Sequence, residues 1–286
     1  MSGSAGRTAF VLAGGGSLGA AQVGMLAELT SAGERPAIIV GVSAGAINAA
    51  FYAADPSAAT VGRMGRLWRS FTTRRALGLS WRSLLGVLGL KDHIASPAGL
   101  RGLLGAELGY SEFADAAVPL HVVCADLLTG HEVVLSEGRV IEAVLASTAI
   151  PGVFPPVSVG TRLLVDGAIA ANTPIATAIR LGASRIVVLP AGFSCAVTRV
   201  AGGALGRAMH AITLLGARQL QQDFARYSAS TPIHIVPPLC PVGHSSYDYA
   251  HAAALIERGK LSTRAWLEAG GLGRIEFPGP LEVHSH

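Results

Sequence analysis

A chain of 286 residues, half of them hydrophobic, is long enough to bury one large core and sits at the upper end of what a single domain holds. Its net charge of +4 arises from 22 basic and 18 acidic residues, and Lys91 and Lys260 are the only lysines; this arginine-based excess comes with no nucleic-acid-binding motif, which argues against a nucleic-acid partner. No apolar run is as long as a membrane span, no signal peptide is evident, and the cysteines Cys124, Cys195 and Cys240 are odd in number and lack metal-ligand spacing. The expectation is a cytoplasmic chain with free or buried thiols, no metal and no cofactor, able to touch a membrane only peripherally.

The first strand-like run, residues 8–13, leads into Gly14-Gly15-Gly16-Ser17-Leu18-Gly19, and a helix follows with Val23, Leu26, Ala27 and Leu29 on its apolar side. Consecutive glycines allow bare backbone N–H groups to converge on one point, as an oxyanion hole or a phosphate site requires. Gly14, Gly16 and Gly19 also satisfy the dinucleotide pattern G-x-G-x-x-G. That fold places an acidic residue at the end of its second strand. Here Glu34 precedes the second strand, residues 36–41, and the far end of that strand carries Gly41-Val42-Ser43-Ala44-Gly45 instead.

This second motif is a G-x-S-x-G between an apolar, β-branched strand and a helix of small residues, Ala44 to Ala54, in which Asn48 is the polar exception. A serine on such a turn is strained and exposed, and it stands at the positive end of a helix dipole. Gly41 and Gly45 remove side chains that would collide where strand and helix converge. Beyond it, residues 61–91 carry Arg63, Arg66, Arg69, Arg74, Arg75, Arg82 and Lys91 without an acidic residue, interleaved with Met64, Leu67, Trp68, Phe71 and Trp81. Two readings stand: a basic lid that covers the site and meets an anionic lipid surface, or a solvated arginine face with its aromatics turned into the core.

Residues 119–126 and 131–135 read as an antiparallel excursion, and 162–165, 185–190 and 233–236 as further strands. Alternation with helical stretches predicts an α/β fold whose mostly parallel central sheet is covered by helices on both faces. With no low-complexity linker and no repeat, residues 1–286 are expected to form one domain with its core at about 7–270. Asp166, followed by Gly167-Ala168, ends the 162–165 strand. A carboxylate at a strand's carboxyl end lies on the rim where α/β sheets place their sites, and from there it could take the Ser43 proton; the alternative is a turn aspartate that caps the next segment. A triad would recruit one of His121, His210, His234, His244 or His251. The elbow of an α/β-hydrolase follows several strands, however, and Ser43 follows only the second.

These residues resemble the patatin-like phospholipases and acyl hydrolases. The resemblance rests on four blocks in register: Gly14 to Gly19, Gly41 to Gly45, Ala146-Ser147-Thr148-Ala149-Ile150-Pro151-Gly152-Val153-Phe154-Pro155-Pro156, and Asp166-Gly167-Ala168-Ile169-Ala170-Ala171-Asn172-Thr173-Pro174. It implies a three-layer patatin-like fold, a lipid or lipid-like ester substrate, and a Ser-Asp dyad without a catalytic histidine. Ser43 would be the nucleophile, Asp166 the base, and the glycine loop (Gly14, Gly15 and Gly16, chiefly the last two amides) the oxyanion hole. The Ala146 to Pro156 block would pack beneath the site and bring the Asp166 strand into place. One departure is Leu18, where the family usually carries Arg or Lys. Leucine cannot attract an anionic head group, which favours a neutral ester and leaves open a catalytically silent lipid-binding or regulatory protein on the same fold.

Overall fold

The computed structural model describes residues 6–71, 95–192 and 203–281. Strand β1 (Thr8–Leu12) runs through the glycine loop into α1 (Ala20–Ser31), and β2 (Ile38–Val42) turns directly into α2 (Ala44–Ala54). Helices α3 (Ala58–Ser70) and α4 (Ala98–Glu107) precede the hairpin of β3 (Leu120–Asp126) and β4 (Glu132–Leu135). Then follow α5 (Val140–Ser147), β5 (Val157–Val159), β6 (Arg162–Asp166), the short α6 (Ala168–Ala171) and α7 (Ile175–Arg180). Strand β7 (Arg185–Leu189), the long α8 (Gly203–Tyr227), β8 (Ile233–Ile235) and α9 (Ala252–Glu268) complete the regular elements.

The strands form one mixed sheet in which β8, β7, β1, β2 and β3 are parallel neighbours, as the alternating pattern predicts. The expected antiparallel excursion is β4 on β3. The strand that carries Asp166 departs from the parallel order: β6 runs antiparallel to β3, and β5, which the sequence did not announce, is antiparallel to β6. Because Val122 and Val123 pair with both β2 and β4, while Cys124 and Ala125 pair with both β4 and β6, strands β2 and β6 share the same edge of β3. They approach each other head-on. Val42 ends β2 opposite Val123, and Asp166 ends β6 opposite the next residue, Cys124.

Side chains alternate between two cores, as period-two geometry dictates. Phe10, Leu12, Ile39 and Leu189 face the core closed by α1, α2, α3, α5 and α9, whereas Ala9, Val11, Val40 and Val188 face α7 and α8. Both faces are covered, so these strands read as unbroken apolar runs. Helices α1 and α9 cross with their backbones in contact, because a Cβ on Gly24 would fall on the Ile256 carbonyl and within 2.5 Å of the Lys260 nitrogen. Leu281 is buried in the second core, so the packed region runs past residue 270. Of the arginine-rich stretch, the structure describes residues 61–71: Met64, Leu67, Trp68 and Phe71 are buried while Arg66 and Arg69 are exposed, the solvated-face arrangement. Arg74, Arg75, Trp81, Arg82 and Lys91, on which the lid reading depends, lie outside the described residues.

Candidate active site

Ser43 sits between β2 and α2 at φ 52° and ψ −123°, the one non-glycine residue with positive φ among those described. Holding a side chain in that region costs on the order of 1–3 kcal/mol, so the neighbours must determine it. They do so from both sides. A Cβ on Gly45 would strike the Leu12 carbonyl and come within 2.6 Å of the Ala13 carbonyl, so only glycine lets α2 start this close to β1. The Ser43 N–H donates to Ser147 Oγ at 2.8 Å, and the Ser147 hydroxyl donates in turn to the Val123 carbonyl at 2.6 Å. Ser147, at the end of α5, thus ties the elbow to β3. It belongs to the block expected to pack beneath the site, but nothing in its local sequence assigned it this contact. Replacing Ser147 with Ala leaves a buried N–H and a buried carbonyl unpaired; we expect a loss of about 1–3 kcal/mol in chemical denaturation, with lower turnover as the elbow relaxes.

The Ser43 hydroxyl donates to Asp166 Oδ2 at 2.6 Å, and Asp166 Oδ1 accepts the Ala168 N–H at 2.9 Å. Both the base geometry and the turn-capping geometry considered for Asp166 are therefore present at once, one on each carboxylate oxygen. The Asp166 N–H donates to the Ala149 carbonyl at 2.9 Å, which anchors β6 to the segment after α5. Burial raises the carboxyl to about 6; the Ser43 and Ala168 hydrogen bonds oppose that rise but do not cancel it. No cation among the described residues pairs with this carboxylate.

The three loop glycines separate into two roles. The Gly14 N–H donates to the Asn172 carbonyl at 3.0 Å, so this amide is already spent and Gly14 leaves the expected oxyanion set. The Gly15 and Gly16 N–H groups have no partner among the described residues. Gly16 has φ +56°, and a Cβ there would strike the Ser246 carbonyl, which itself accepts the Ser17 N–H at 2.7 Å. Leu18 is fully buried beside this loop, so the departure from the family pattern is a core contact.

Two clefts meet at Ser43. One, open to solvent, is bounded by Gly14, Gly15, Asp166, Ile169, Asn172 and Tyr247. The other, also open to solvent, is walled by Ile47, Trp68, Phe71, Leu100, Phe154 and Tyr249. Gly16 and Ile150 line both. Among the described lining residues no side chain is basic. Trp68 packs on Phe71 and Tyr249, with ring centroids at 5.2 and 6.4 Å. Burial raises the phenol of Tyr247, and that of Tyr249 to about 12, so both stay protonated at neutral pH. Neither tyrosine carried a sequence signal, because residues 247 and 249 reach the site only through the loop before α9.

The histidines lie elsewhere. His234, on β8, has β7 and β1 between its strand and β2, and its Nδ1 faces the Arg274 carbonyl at 3.0 Å. His244 stacks on His251 at 4.3 Å, and His121 faces Ser136. No described histidine, His210 included, hydrogen-bonds Ser43 or Asp166. We therefore expect His234→Gln and His244→Gln to leave ester turnover unchanged, measured alongside a thermal melt; a collapse in a folded variant would restore the triad. Glu34, the residue a dinucleotide fold would have placed near the ribose, is paired with Arg185 at 2.7 Å at the start of β7, the rim opposite the glycine loop. No group of three His, Cys, Asp or Glu among the described residues is placed to hold a metal ion, and none of the described helices is long and apolar enough to cross a membrane.

A strained serine at a strand–helix elbow, a carboxylate against it and a glycine loop at their side, on a sheet covered by helices on both faces, define an α/β protein of the patatin type. The comparison with known families agrees: the model described as "Patatin-like phospholipase" matches residues 10–179, and the chain belongs to that family. An uncharacterized NTE family protein of Mycobacterium tuberculosis is 32% identical over 170 residues, which are 57% of this chain and 27% of that protein. A lysophospholipase of Aspergillus terreus is 30% identical over 190 residues, 64% of this chain and 12% of the relative. The chain thus matches only a minor part of these relatives' length. Among solved structures, human GIVD cytosolic phospholipase A2 in complex with methyl gamma-linolenyl fluorophosphonate and terbium chloride superposes with a TM-score of 0.52, over 94% of this chain and 59% of that one, at 12% identity, a likeness of fold.

Proposed function

We propose that this chain is a serine acyl hydrolase that cleaves a lipid ester through a Ser43–Asp166 dyad and an acyl-enzyme. The carrying observation is the 2.6 Å hydrogen bond from a strained, buried serine to a carboxylate that has no cationic partner among the described residues. As Ser43 Oγ attacks the ester carbonyl carbon, its proton passes to Asp166 Oδ2. The carbonyl oxygen becomes the oxyanion and takes hydrogen bonds from the Gly15 and Gly16 N–H groups. The tetrahedral species collapses, the ester C–O bond breaks, and the departing alkoxide takes the proton from Asp166. Water then repeats the sequence on the acyl-enzyme, with Asp166 accepting its proton, and the fatty acid leaves. A carboxyl at about 6 is ionised at neutral pH yet basic enough to share in proton transfer.

The apolar cleft bounded by Trp68, Phe71 and Phe154 suits the acyl chain, and the more polar cleft beside Asn172 and Tyr247 suits the leaving alcohol. With no basic side chain in the described lining, the reading favours a neutral leaving group over recognition of a phosphate. The intact hydrogen-bonded pair weighs against a silent binding protein, which has no chemical use for it. A panel of esters of increasing acyl length, with and without a phosphate head group, tests the assignment. Each methylene buried should raise kcat/KM by up to about fourfold, the rate equivalent of ~0.8 kcal/mol, until the cleft is filled, and a phosphate should bring no gain. Activity on no ester, from protein shown to be folded, would end the hydrolase reading.

A further inference from the structure

A buried chain of side-chain amides runs from the acyl cleft to both ends of the glycine loop. Trp68 Nε1–H donates to Asn48 Oδ1 at 2.7 Å. Asn48 Nδ2 donates to the Gly19 carbonyl at 2.9 Å and to Gln22 Oε1 at 2.8 Å. Gln22 Nε2 donates to the Ala13 carbonyl at 2.8 Å and to the Leu189 carbonyl at 2.9 Å. All three residues are at most 1% exposed. Each primary amide uses both N–H groups and accepts one hydrogen bond, so neither can be flipped and the chain has a single direction. Its targets are informative. Ala13 and Gly19 flank the stretch that contains Gly15 and Gly16, and Leu189 ends the strand next to β1.

An apolar core at Gln22 and Asn48 would avoid the cost of burying two amides, so their presence calls for a reason beyond packing. Two of the carbonyls they hold, those of Ala13 and Gly19, belong to the residues on either side of the loop, so the amide chain anchors both ends of the stretch that carries the Gly15 and Gly16 N–H groups. We infer that Gln22, Asn48 and Trp68 are positioning residues for the oxyanion loop, and that Trp68, whose ring also walls the acyl cleft, couples that wall to the loop. The inference rests on the hydrolase reading above. It assigns no group to the reacting atoms: the three act through the backbone of the loop.

The test removes the first donor without removing the wall. Trp68→Phe keeps an aromatic ring but leaves Asn48 Oδ1 unpaired, and site-specific replacement of Trp68 by benzothienylalanine, a near-isosteric ring without the N–H, does so with almost no loss of volume. In either variant kcat should fall about 10- to 100-fold, the scale of a misplaced oxyanion donor, while KM for a short-chain ester stays near wild type. Affinity for a trifluoromethyl ketone, which forms the tetrahedral adduct, should fall by the same factor as kcat/KM. Hydrogen exchange of the peptide spanning residues 13–19 should accelerate, a readout that needs no turnover. Combining Trp68→Phe with Gln22→Met should cost less than the product of the two single losses, because both break one chain. Unchanged kcat in the benzothienylalanine protein, a loss carried by KM with ketone affinity intact, or exchange at residues 13–19 equal to wild type would each overturn the inference. Full turnover in Ser43→Ala would instead refute the Ser43–Asp166 mechanism on which the inference rests, and the exchange measurement would still decide the positioning claim.

Discussion

Ser43→Ala is expected to lower ester hydrolysis by about 10⁴-fold or more and to abolish labelling by a fluorophosphonate probe, while the protein remains folded. The residual rate would come from the Gly15 and Gly16 amides and from binding in the two clefts. The fold should tolerate the change, because the elbow is held through the Ser43 backbone N–H on Ser147 and through the Ala46 N–H on the Ser43 carbonyl, and not through the hydroxyl. Mass spectrometry of the labelled protein, with a thermal melt of the mutant, checks both halves. Label on another serine of the folded protein, or turnover near wild type in the mutant, would remove Ser43 from the mechanism.

Asp166→Asn should separate activity from stability. Loss of the proton acceptor is expected to reduce kcat about 10²- to 10⁴-fold. Stability should move the other way. The folded carboxyl titrates at about 6 against an ordinary value of 3.8, so the folded state binds the proton more tightly than the unfolded one. The aspartate's contribution to stability is therefore fully present below pH about 4 and is lost as pH rises through about 6. At pH 7 to 8 the buried charge costs on the order of 3 kcal/mol, which a neutral asparagine of the same shape avoids. The Asn variant should accordingly denature at higher urea at pH 7.5, and the two curves should converge near pH 4. In the wild type, kcat/KM should rise with pH through about 6, and the variant should lack that step. A mutant that is both inactive and less stable at pH 7.5 would mean that Asp166 holds the fold together rather than serving as a base.

Several elements were legible because their cause is local. The strand–turn–helix around Ser43 is contiguous in sequence, and Gly41 and Gly45 mark the close approach that the structure shows as contacts with Ala46, Ala49 and the Leu12 carbonyl. The hairpin of β3 and β4 could be read from two apolar runs around a turn. By contrast, the resemblance groups Gly14 with Gly15 and Gly16 in the oxyanion loop, and the Gly14 amide proved to be engaged by Asn172, a partner far along the chain. Asn48 stood out as the polar exception in α2, but its purpose depends on Gln22 and Trp68, which reach it from two other helices. The arginine-rich stretch 61–91 reads as a lid or as a solvated face, since composition is the same in both; in its described part Trp68 and Met64 are buried while Arg66 and Arg69 are exposed.

The sequence by itself determined the alternation of strand and helix, the serine elbow, the glycine loop and the family, because each follows from short-range patterning or from motifs in register. Only the tertiary structure decided how Ser43 and Asp166 come together. They are 123 residues apart, and a strand's direction in a sheet is not written in its own residues, since an apolar run fits a parallel or an antiparallel neighbour. Strand β6 turned out to oppose β2 on one edge of β3, so the two chain ends converge at Val123 and Cys124 and their next polar side chains meet. Burial at that junction, away from any described cation, is also what raises the carboxyl to about 6 against the opposing Ser43 hydrogen bond, because burial acts on a charge through everything packed around it.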